Sequence, residues 1–322
     1  MRKSRDVACH VRKKGNPYQM KEFELTILGC GSAKPSGRHH LSSQVLTYRG
    51  KHFMIDCGEG TQRQFYHKGL NQNRLSHIFI SHLHGDHCFG LIGFISTLEL
   101  QERTGEIVIH AHSDLETLLR PQIDYYCSGS SLKITIEPLP GKVAEIYNDG
   151  TLRVISFPLK HRIPTFGFRF EEINKLPHII KERVERYNIP LKELPRIKEG
   201  ADYITPDGEV IPNRELVLPP SPASSYAYCS DTKYTTSIIP YIKGVSLLYH
   251  EATYLHDMEK IAKKRYHTTA LQAGKIAKEA EVDQLIIGHF STRYKEESLL
   301  LQEAQKEFAN TILANEGLKI KF

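Results

Sequence analysis

The stretch ISHLHGDHCFG, which begins at Ile80, contains three histidines and one aspartate within six positions. His82 and His84 are two residues apart, so on an extended chain both side chains point the same way and can bind one ion. A glycine then allows a sharp turn, after which Asp86 and His87 face a second position close by. Imidazole and carboxylate groups are zinc ligands, and a catalytic zinc keeps one position for water. The stretch therefore predicts a metal site, with room for two ions.

Further metal-capable side chains follow other apolar stretches. VISFPLK precedes His161, YAYCS precedes Asp231, QLIIG precedes His289, and VSLLY leads into His250 and Glu251. Strands that end at one edge of a sheet can bring such residues together. His161, Asp231 and His289 would then complete two metal sites, with Asp231 able to bridge them. A buried polar network without a cation is disfavoured, because so many imidazoles and carboxylates would be costly to desolvate.

Other histidines and the cysteines receive no metal role. His110 and His112 form a second HxH, but it lacks a following Asp-His and lies before a helix cap. His39 and His40 are isolated as a metal pair. The cysteines are scattered without a CxxC pair and are interpreted as free thiols of a reducing compartment: Cys9, Cys30, Cys57, Cys88, Cys127 and Cys229.

The elements that must position these residues are short apolar strands and a few helices, beginning at Phe23. FELTILG is a predicted strand, QVLTY and HFMID form a predicted hairpin, and FGLIGFISTLELQ is a predicted buried helix. KVAEIY and TLRVISFPL flank Asn148-Asp149-Gly150, a strong hairpin turn. Helices are also predicted from Ser113 and over residues 268–280. The mixture indicates an α/β protein.

The composition changes between about Phe170 and Ala223, where the chain has eight prolines and many charges. This segment, with one predicted helix at Pro177–Tyr187, is expected to be an insertion or arm. Residues 175–200 contain seven Lys or Arg against four Glu, a net charge of +3. Such a patch suits contacts with phosphates. An ordinary solvated helix and loop is the alternative.

Length and charge limit the class of protein. With 322 residues, 40% of them hydrophobic, the chain can form one large domain, expected over residues 20–322. No apolar run approaches the roughly 18 residues of a membrane span, so a cytoplasmic protein is expected. Residues 1–19 hold six basic residues and one acidic residue, leaving only +1 of the net +6 for the rest. This leader is expected to be a disordered tail or an extension upstream of a start at Met20; a phosphate-binding arm or transit peptide is the alternative.

The motif HxHxDH marks the metallo-β-lactamase superfamily, whose members hydrolyse lactams, thioesters, sulfate esters and phosphodiesters. More specific motifs follow in order: DCGEGTQRQ from Asp56, SDT from Ser230, HEATY from His250, HTTA from His267 and GHFSTRY from Gly288. Together they closely resemble the short form of ribonuclease Z, the tRNA 3′-processing endonuclease. The resemblance runs from about Phe23 to the C-terminus.

This resemblance implies an αβ/βα sandwich of two mixed β-sheets flanked by helices, with an inserted tRNA-binding arm. It implies a homodimer that acts on precursor tRNA, without a membrane or a nucleotide cofactor. The arm departs from the family pattern, because NIPLKELPRIKEG contains no Gly-Pro element. Two Zn²⁺ per chain are expected, with Mn²⁺ or another divalent ion as the alternative. The implied ligands are His82, His84 and His161 for one ion, Asp86, His87 and His289 for the other, and Asp231 for both.

The chemistry expected of paired ions is hydrolysis of a phosphodiester. Two ions roughly 3.5–4 Å apart can activate a water and polarise the scissile phosphate. The resemblance implies that Asp86 accepts the proton of this water. The leaving O3′ of the tRNA needs a proton, and His267, oriented by Glu251, is the predicted acid. A helix-start role for His267 and a buried acceptor role for Glu251 are the alternatives.

Two other functions remain open from the sequence. A different hydrolase of the same fold would turn over small esters but not tRNA. A non-catalytic RNA-binding relative would be expected to lose metal ligands, whereas this chain keeps all seven.

Overall fold

The computed structural model describes residues 22–129 and 131–322. The basic leader predicted at residues 1–19 lies outside the described residues. Among the described residues, no helix has both the length and the apolar character needed to cross a membrane.

The first sheet has seven strands in the order β18-β1-β2-β3-β4-β5-β6. Its first four strands are antiparallel and its last four, from β3 onward, are parallel. The bounds are β1 (Phe23–Gly29), β2 (Ser43–Tyr48), β3 (Lys51–Ile55), β4 (Leu75–Phe79), β5 (Gly105–Ala111), β6 (Leu132–Pro138) and β18 (Lys319–Lys321).

The second sheet also has seven strands, in the order β17-β16-β15-β14-β9-β8-β7. Strands β14 to β17 are parallel and β7 to β9 are antiparallel, so this sheet is mixed as well. The bounds are β7 (Ala144–Asn148), β8 (Leu152–Pro158), β9 (Phe166–Glu172), β14 (Ser225–Cys229), β15 (Leu247–Glu251), β16 (Gln284–Gly288) and β17 (Thr311–Leu313).

Helices cover the outer faces of the two sheets. The bounds are α1 (Thr61–His67), α2 (Gly85–Cys88), α3 (Leu91–Leu100), α4 (Asp114–Tyr126), α5 (Lys181–Arg186), α6 (Leu194–Lys198), α7 (Asn213–Leu216), α8 (Ile239–Ile242), α9 (Glu259–Arg265), α10 (Ala270–Glu279) and α11 (Ser298–Glu307). The apolar faces of α1, α3 and α4 pack on the first sheet, and those of α10 and α11 pack on the second. The α/β sandwich predicted from the sequence is confirmed.

The sheets face each other across an aromatic core. Phe79 of the first sheet contacts Phe168 and Phe170 of the second, with ring centroids 5.5 and 5.2 Å apart. All three rings are fully buried. Burying such large apolar surfaces is the main stabilising contribution to the sandwich. It also fixes the position of β4 against β9, and the strand ends at this edge carry the site.

Several local predictions are confirmed. The predicted hairpins form, as β2 with β3 and β7 with β8. In the second hairpin the Asp149 carboxylate accepts the backbone N–H groups of Thr151 and Leu152. The helix predicted over residues 268–280 begins with a capping box, in which Thr269 and Gln272 each accept the other's backbone N–H.

The segment predicted to be an insertion or arm lies between Glu172 of β9 and Ser225 of β14. It contains α5 to α7 and two small pairs of strands, β10 (His178–Ile179) with β13 (Val217–Leu218) and β11 (Tyr203–Ile204) with β12 (Val210–Ile211). Its own small core consists of Ile189, Ile197, Tyr203, Ile211 and Leu216. The helix predicted at Pro177–Tyr187 is shorter than expected, because its first residues pair as a strand.

Candidate active site

The predicted ligands lie at one edge of the sandwich, most of them in loops that follow strands, with Asp86 and His87 in the short helix α2. In the second sheet, Asp231 follows β14, Glu251 ends β15 and His289 follows β16, three adjacent parallel strands. His161 follows β8, and His82 follows β4 of the first sheet. The Phe166 N–H donates to the Ser81 carbonyl at 2.9 Å and joins the two sheets at this edge.

The first set of ligand atoms surrounds one point. His82 Nε2 lies 3.0 Å from His84 Nδ1, which lies 3.3 Å from His161 Nε2. Oδ2 of Asp231 lies 3.6 Å from His82 Nε2 and 3.7 Å from His161 Nε2. These separations match neighbouring corners of a tetrahedral zinc site, in which ligands about 2.0–2.2 Å from the ion lie about 3.3–3.6 Å apart.

The second set uses the other oxygen of Asp231. His289 Nε2 lies 3.4 Å from Asp86 Oδ2 and 3.1 Å from Asp231 Oδ1. His87 Nε2 lies 3.5 Å from Asp86 Oδ2 and 3.6 Å from Asp231 Oδ1. The two oxygens of Asp231 therefore face different sets, which is the bridging arrangement that the sequence suggested.

The donor atoms fit a divalent cation. Among the described residues, His87 Nε2 and Asp231 Oδ1 are buried and have no hydrogen-bond partner. Buried polar atoms are nearly always satisfied, so each such atom needs an explanation. A cation would satisfy both, and the ligand atoms of both sets lie close enough together to bind one. By this criterion the cluster is a candidate metal-binding site.

Asp56 orients the histidines from behind. Its Oδ2 accepts hydrogen bonds from His87 Nδ1 at 2.7 Å, from the Tyr228 hydroxyl at 2.6 Å and from the Ser81 hydroxyl at 2.9 Å. The Ser81 hydroxyl in turn lies 3.0 Å from His82 Nδ1. Such contacts fix the tautomer of a metal-binding histidine and leave its Nε2 free for the ion.

Two further ligand histidines, His161 and His289, are oriented in the same way. His161 Nδ1 donates to the Tyr266 carbonyl at 2.9 Å. His289 Nδ1 lies 2.9 Å from the Thr253 hydroxyl, which itself donates to Glu251 Oε2 at 2.6 Å. The sequence had given no role to Asp56, Ser81 or Thr253, although Asp56 and Thr253 lie within the family motifs and Ser81 lies beside the first ligand.

Electrostatics favour the metal-binding protonation states of His82 and Asp86 but not that of His87. Burial opposes the charged form of His87, but the surrounding carboxylates outweigh burial and raise its pKa well above the usual value, so an ion must displace that proton. Burial and the neighbouring imidazoles of His87 and His84 hold the pKa of His82 well below its usual value. Burial alone would raise the pKa of Asp86, but the imidazole of His87 and a hydrogen bond from His289 outweigh it and lower that pKa. A neutral imidazole and an ionised carboxylate are the forms that bind metals.

His267 and Glu251 form an ion pair beside the ligands. Nδ1 of His267 lies 3.0 Å from Glu251 Oε1, and Glu251 is fully buried. The same oxygen accepts the Thr232 N–H at 2.8 Å. Burial opposes the charged form of His267, but the Glu251 carboxylate outweighs burial and raises the pKa of His267 to about 9. The imidazole therefore carries a proton near neutral pH.

Two glycines allow the loop after β3 to contact α2, the helix that carries Asp86 and His87. The Cys57 N–H donates to the His87 carbonyl at 2.7 Å, and the Gly90 N–H donates to the Cys57 carbonyl at 2.9 Å. A Cβ on Gly90 would lie 2.2 Å from the Gly58 carbonyl oxygen, and one on Gly58 would lie 2.5 Å from the Asp86 carbonyl oxygen. Only glycine permits this approach, which brings Asp56 under the histidines.

A cavity of about 960 Å³ opens over the site, with His84, Asp86, Asp231, His267 and His289 in its wall. Four basic side chains also line it: Lys34, Arg162, Arg265 and Arg293. The ring of Phe89 lies at this cavity and is 71% exposed. The cavity thus combines a floor of candidate metal ligands, a cationic wall and an exposed aromatic ring.

The other histidines lie elsewhere. His110 is buried against Phe79, and its Nε2 lies 3.0 Å from His77 Nδ1. His112 lies at the start of α4, where its Nδ1 accepts the Asp114 N–H. His250 is buried, and its Nδ1 donates to the Glu251 carbonyl.

Comparison with known proteins adds close relatives over almost the whole chain. Ribonuclease Z of Phocaeicola vulgatus is 54% identical over 302 residues, covering 94% of this chain and 98% of that protein. Ribonuclease Z of Bacteroides thetaiotaomicron is 52% identical, covering 94% of this chain and 96% of that protein. A family model described as anti-Pycsar protein Apyc1 matches residues 23–124, about a third of the chain.

Solved structures match the fold. The short form of human tRNase Z superposes with a TM-score of 0.68 at 24% identity, covering 92% of this chain and 98% of that one. The metallo-β-lactamase fold protein YhfI from Bacillus subtilis gives 0.65 at 18% identity, covering 93% and 99%. At these identities the likeness concerns the fold of two sheets flanked by helices.

Proposed function

The chain belongs to the ribonuclease Z family of the metallo-β-lactamase superfamily and is an endoribonuclease, and from that premise we propose that it removes 3′ trailers from tRNA precursors and leaves a 3′-OH on the tRNA. The observation that carries this proposal is the pair of ligand sets joined by Asp231 on the floor of a cationic cavity. This arrangement suits hydrolysis of a phosphodiester in a large anionic substrate.

Two Zn²⁺ ions per chain are proposed for the two ligand sets. His82, His84 and His161 would hold one ion, Asp86, His87 and His289 the other, and Asp231 both. Bound there, paired zinc ions would lower the pKa of a water and offset charge on the scissile phosphate. Five imidazoles and two carboxylates suit zinc, although Mn²⁺ also accepts such ligands.

Asp86 is proposed to accept the proton of the attacking water. Its Oδ2 accepts the Ala33 N–H at 2.7 Å, so the loop after β1 fixes the carboxylate in the cavity wall. The neighbouring imidazoles keep the carboxylate ionised. The ionised carboxylate is the form that can accept a proton, and the Ala33 N–H holds it in place.

His267 is proposed to protonate the leaving O3′. Nδ1 faces Glu251, which leaves Nε2 as the ring nitrogen available to the cavity. Because the buried carboxylate keeps the imidazole protonated, His267 can donate a proton at neutral pH. Glu251 acts through His267 as a positioning residue.

The tRNA is proposed to be held by the basic cavity wall and by the arm at residues 173–224. Arg265 and Arg293 both lie against Tyr254, with Arg293 5.8 Å from the ring centroid. On the arm, Lys181 and Arg196 are exposed, and each forms an ion pair with a glutamate, Glu185 and Glu193 respectively. Contacts of this kind with phosphates position an RNA without reading its sequence.

A homodimer is also proposed, from the family resemblance. A cytoplasmic location is proposed because the cysteines among the described residues are free. Light scattering of the purified protein tests the dimer. A mass of one chain would contradict it.

The substrate is tested by offering three molecules in parallel: a tRNA precursor with a 3′ trailer, an unstructured RNA of equal length and a small chromogenic phosphodiester. We expect the precursor to be cut at the end of its acceptor stem, far faster than the unstructured RNA. Turnover of the small ester without any cut in the precursor would instead indicate a small-molecule phosphodiesterase of the same fold.

A further inference from the structure

A second cluster of metal-capable side chains lies outside the active site. Cys30 Sγ lies 3.3 Å from His39 Nδ1 and 3.7 Å from Glu316 Oε1. His39 Nδ1 lies 3.2 and 3.1 Å from the two oxygens of Glu316. This cluster could not be predicted from the sequence, because His39 has no metal partner nearby in the chain and Glu316 is 277 residues away.

The separations are those of zinc ligands. With a Zn–S bond of about 2.3 Å and Zn–N and Zn–O bonds of about 2.0–2.2 Å, the corners of a tetrahedron lie about 3.3–3.7 Å apart. The observed distances of 3.3, 3.7 and 3.2 Å come close to these values without rearrangement. The Ala314 carbonyl oxygen, 3.3 Å from Cys30 Sγ, or a water would supply the fourth corner.

The surroundings orient these groups as in a metal site. His39 Nε2 lies 3.2 Å from Glu297 Oε1, so a carboxylate accepts the ring N–H that the ion does not use. The His40 N–H donates to Glu316 Oε1 at 2.9 Å. Cys30 is fully buried, whereas the side chains of Glu297 and Glu316 are 18% and 16% exposed and leave a route for an ion.

Without an ion these atoms can form hydrogen bonds, from the Cys30 S–H to the Ala314 carbonyl and from His39 Nδ1 to the Glu316 carboxylate. Metal binding would displace both protons. A divalent cation would then accept the sulfur, the ring nitrogen and a carboxylate oxygen as ligands. A thiolate and a carboxylate would balance its charge, and a thiolate favours zinc over magnesium or calcium.

We propose that Cys30, His39 and Glu316 bind a structural zinc ion, separate from the two ions of the active site. This third ion joins the loop at residues 31–40 to the C-terminal segment before β18, and the three ligands are called the Cys30 site below.

The loop at residues 31–40 reaches the active site. Its Ala33 N–H donates to Asp86 Oδ2, and its Ser32 hydroxyl donates to the Phe290 carbonyl next to His289. Arg38, at the other end, bonds to Glu297 and to the carbonyl of Lys295. The ion would therefore hold the loop that positions the Asp86 carboxylate.

Cobalt distinguishes the Cys30 site from the active site, because of these two sites only the Cys30 site has a cysteine ligand. The full chain is stripped of metal and titrated with Co²⁺, and the near-ultraviolet absorption of a thiolate-to-cobalt charge transfer is followed. We expect this absorption in the unsubstituted chain and its loss in Cys30→Ala. Cys88→Ala, which removes the thiol beside His84, is the matched control and should keep the absorption.

A second variant covers the case in which Cys30→Ala does not fold. Glu316→Gln keeps an oxygen for the His40 N–H but loses the carboxylate, so the charge-transfer absorption should require at least about tenfold more Co²⁺. The proposal is overturned if the unsubstituted chain shows no charge-transfer absorption at saturating Co²⁺. It is also overturned if the absorption survives Cys30→Ala, or if Glu316→Gln titrates like the unsubstituted chain.

Discussion

Asp56→Asn should weaken metal binding although Asp56 touches no ion. The Asp56 carboxylate is fully buried and accepts four hydrogen bonds, three on Oδ2 and one, from the Ser81 N–H at 2.7 Å, on Oδ1. An asparagine has only one acceptor oxygen. Its NH₂ group must therefore face at least one of these donors, whichever way the amide is turned.

The expected losses of stability and of metal affinity follow from the hydrogen bond and the charged contact that Asp56→Asn removes. A buried donor left without an acceptor costs about 1–3 kcal/mol, so the free energy of unfolding should fall by at least that amount. His87 also loses a charged partner at 2.7 Å, the contact that directs its Nε2 to the metal. Loss of such an orienting carboxylate lowers metal affinity by about 10–100-fold.

Competition with a chromogenic chelator measures the affinity, and urea unfolding measures the stability. Asp149→Asn is the matched control. Asp149 also accepts several hydrogen bonds, but it lies in the β7–β8 turn, at the opposite end of β8 from His161. It should lose stability and keep its metal. A folded Asp56→Asn that binds metal as tightly as the unsubstituted chain would refute the reasoning.

Four further outcomes are expected. His267→Ala should cut precursor slowly while retaining its zinc, as measured by metal analysis; loss of metal would mean that its role is to bind the ion. The Glu251 carboxylate raises the pKa of His267 to about 9, so the rate of cleavage should fall as pH rises through about 9. In Glu251→Gln this fall should move to lower pH. An unchanged pH profile would exclude His267 as the acid. Replacing residues 175–221 with a short linker should impair precursor cleavage far more than hydrolysis of a small phosphodiester, and equal losses would assign the arm to the fold. Phe89→Ala should slow precursor cleavage by roughly 5–150-fold, as expected for a lost stacking contact of about 1–3 kcal/mol. Leu100 is also exposed but lies outside the cavity wall, so Leu100→Ala should cleave at the unsubstituted rate. Equal rates in the two variants would leave Phe89 without a role.

The clustering of the candidate ligands could be predicted from the sequence because most of them follow an apolar strand. Period-two spacing predicted that His82 and His84 lie together, and the strand ends predicted that Asp231 and His289 approach them. These are short-range patterns, whereas the two-sheet fold was expected from the family resemblance.

The orienting shell could not be predicted in this way. Asp56 meets His87 only because Gly58 and Gly90 let two backbones touch, a contact between residues 31 positions apart. Cys30 and Glu316 meet only when β18 pairs with β1. The helix predicted at Pro177–Tyr187 begins only at Lys181, because His178 and Ile179 pair with β13. Pairing across long stretches of chain decides all three cases.

The most direct measurement is cleavage of an end-labelled tRNA precursor by chelator-treated protein before and after zinc is restored. The seven-ligand site predicts no cut by the metal-free protein and, after zinc is restored, a single cut at the 3′ end of the acceptor stem. Cleavage that persists without metal, or a folded, zinc-loaded protein that leaves the precursor intact, would contradict a metal-dependent tRNA 3′-processing site.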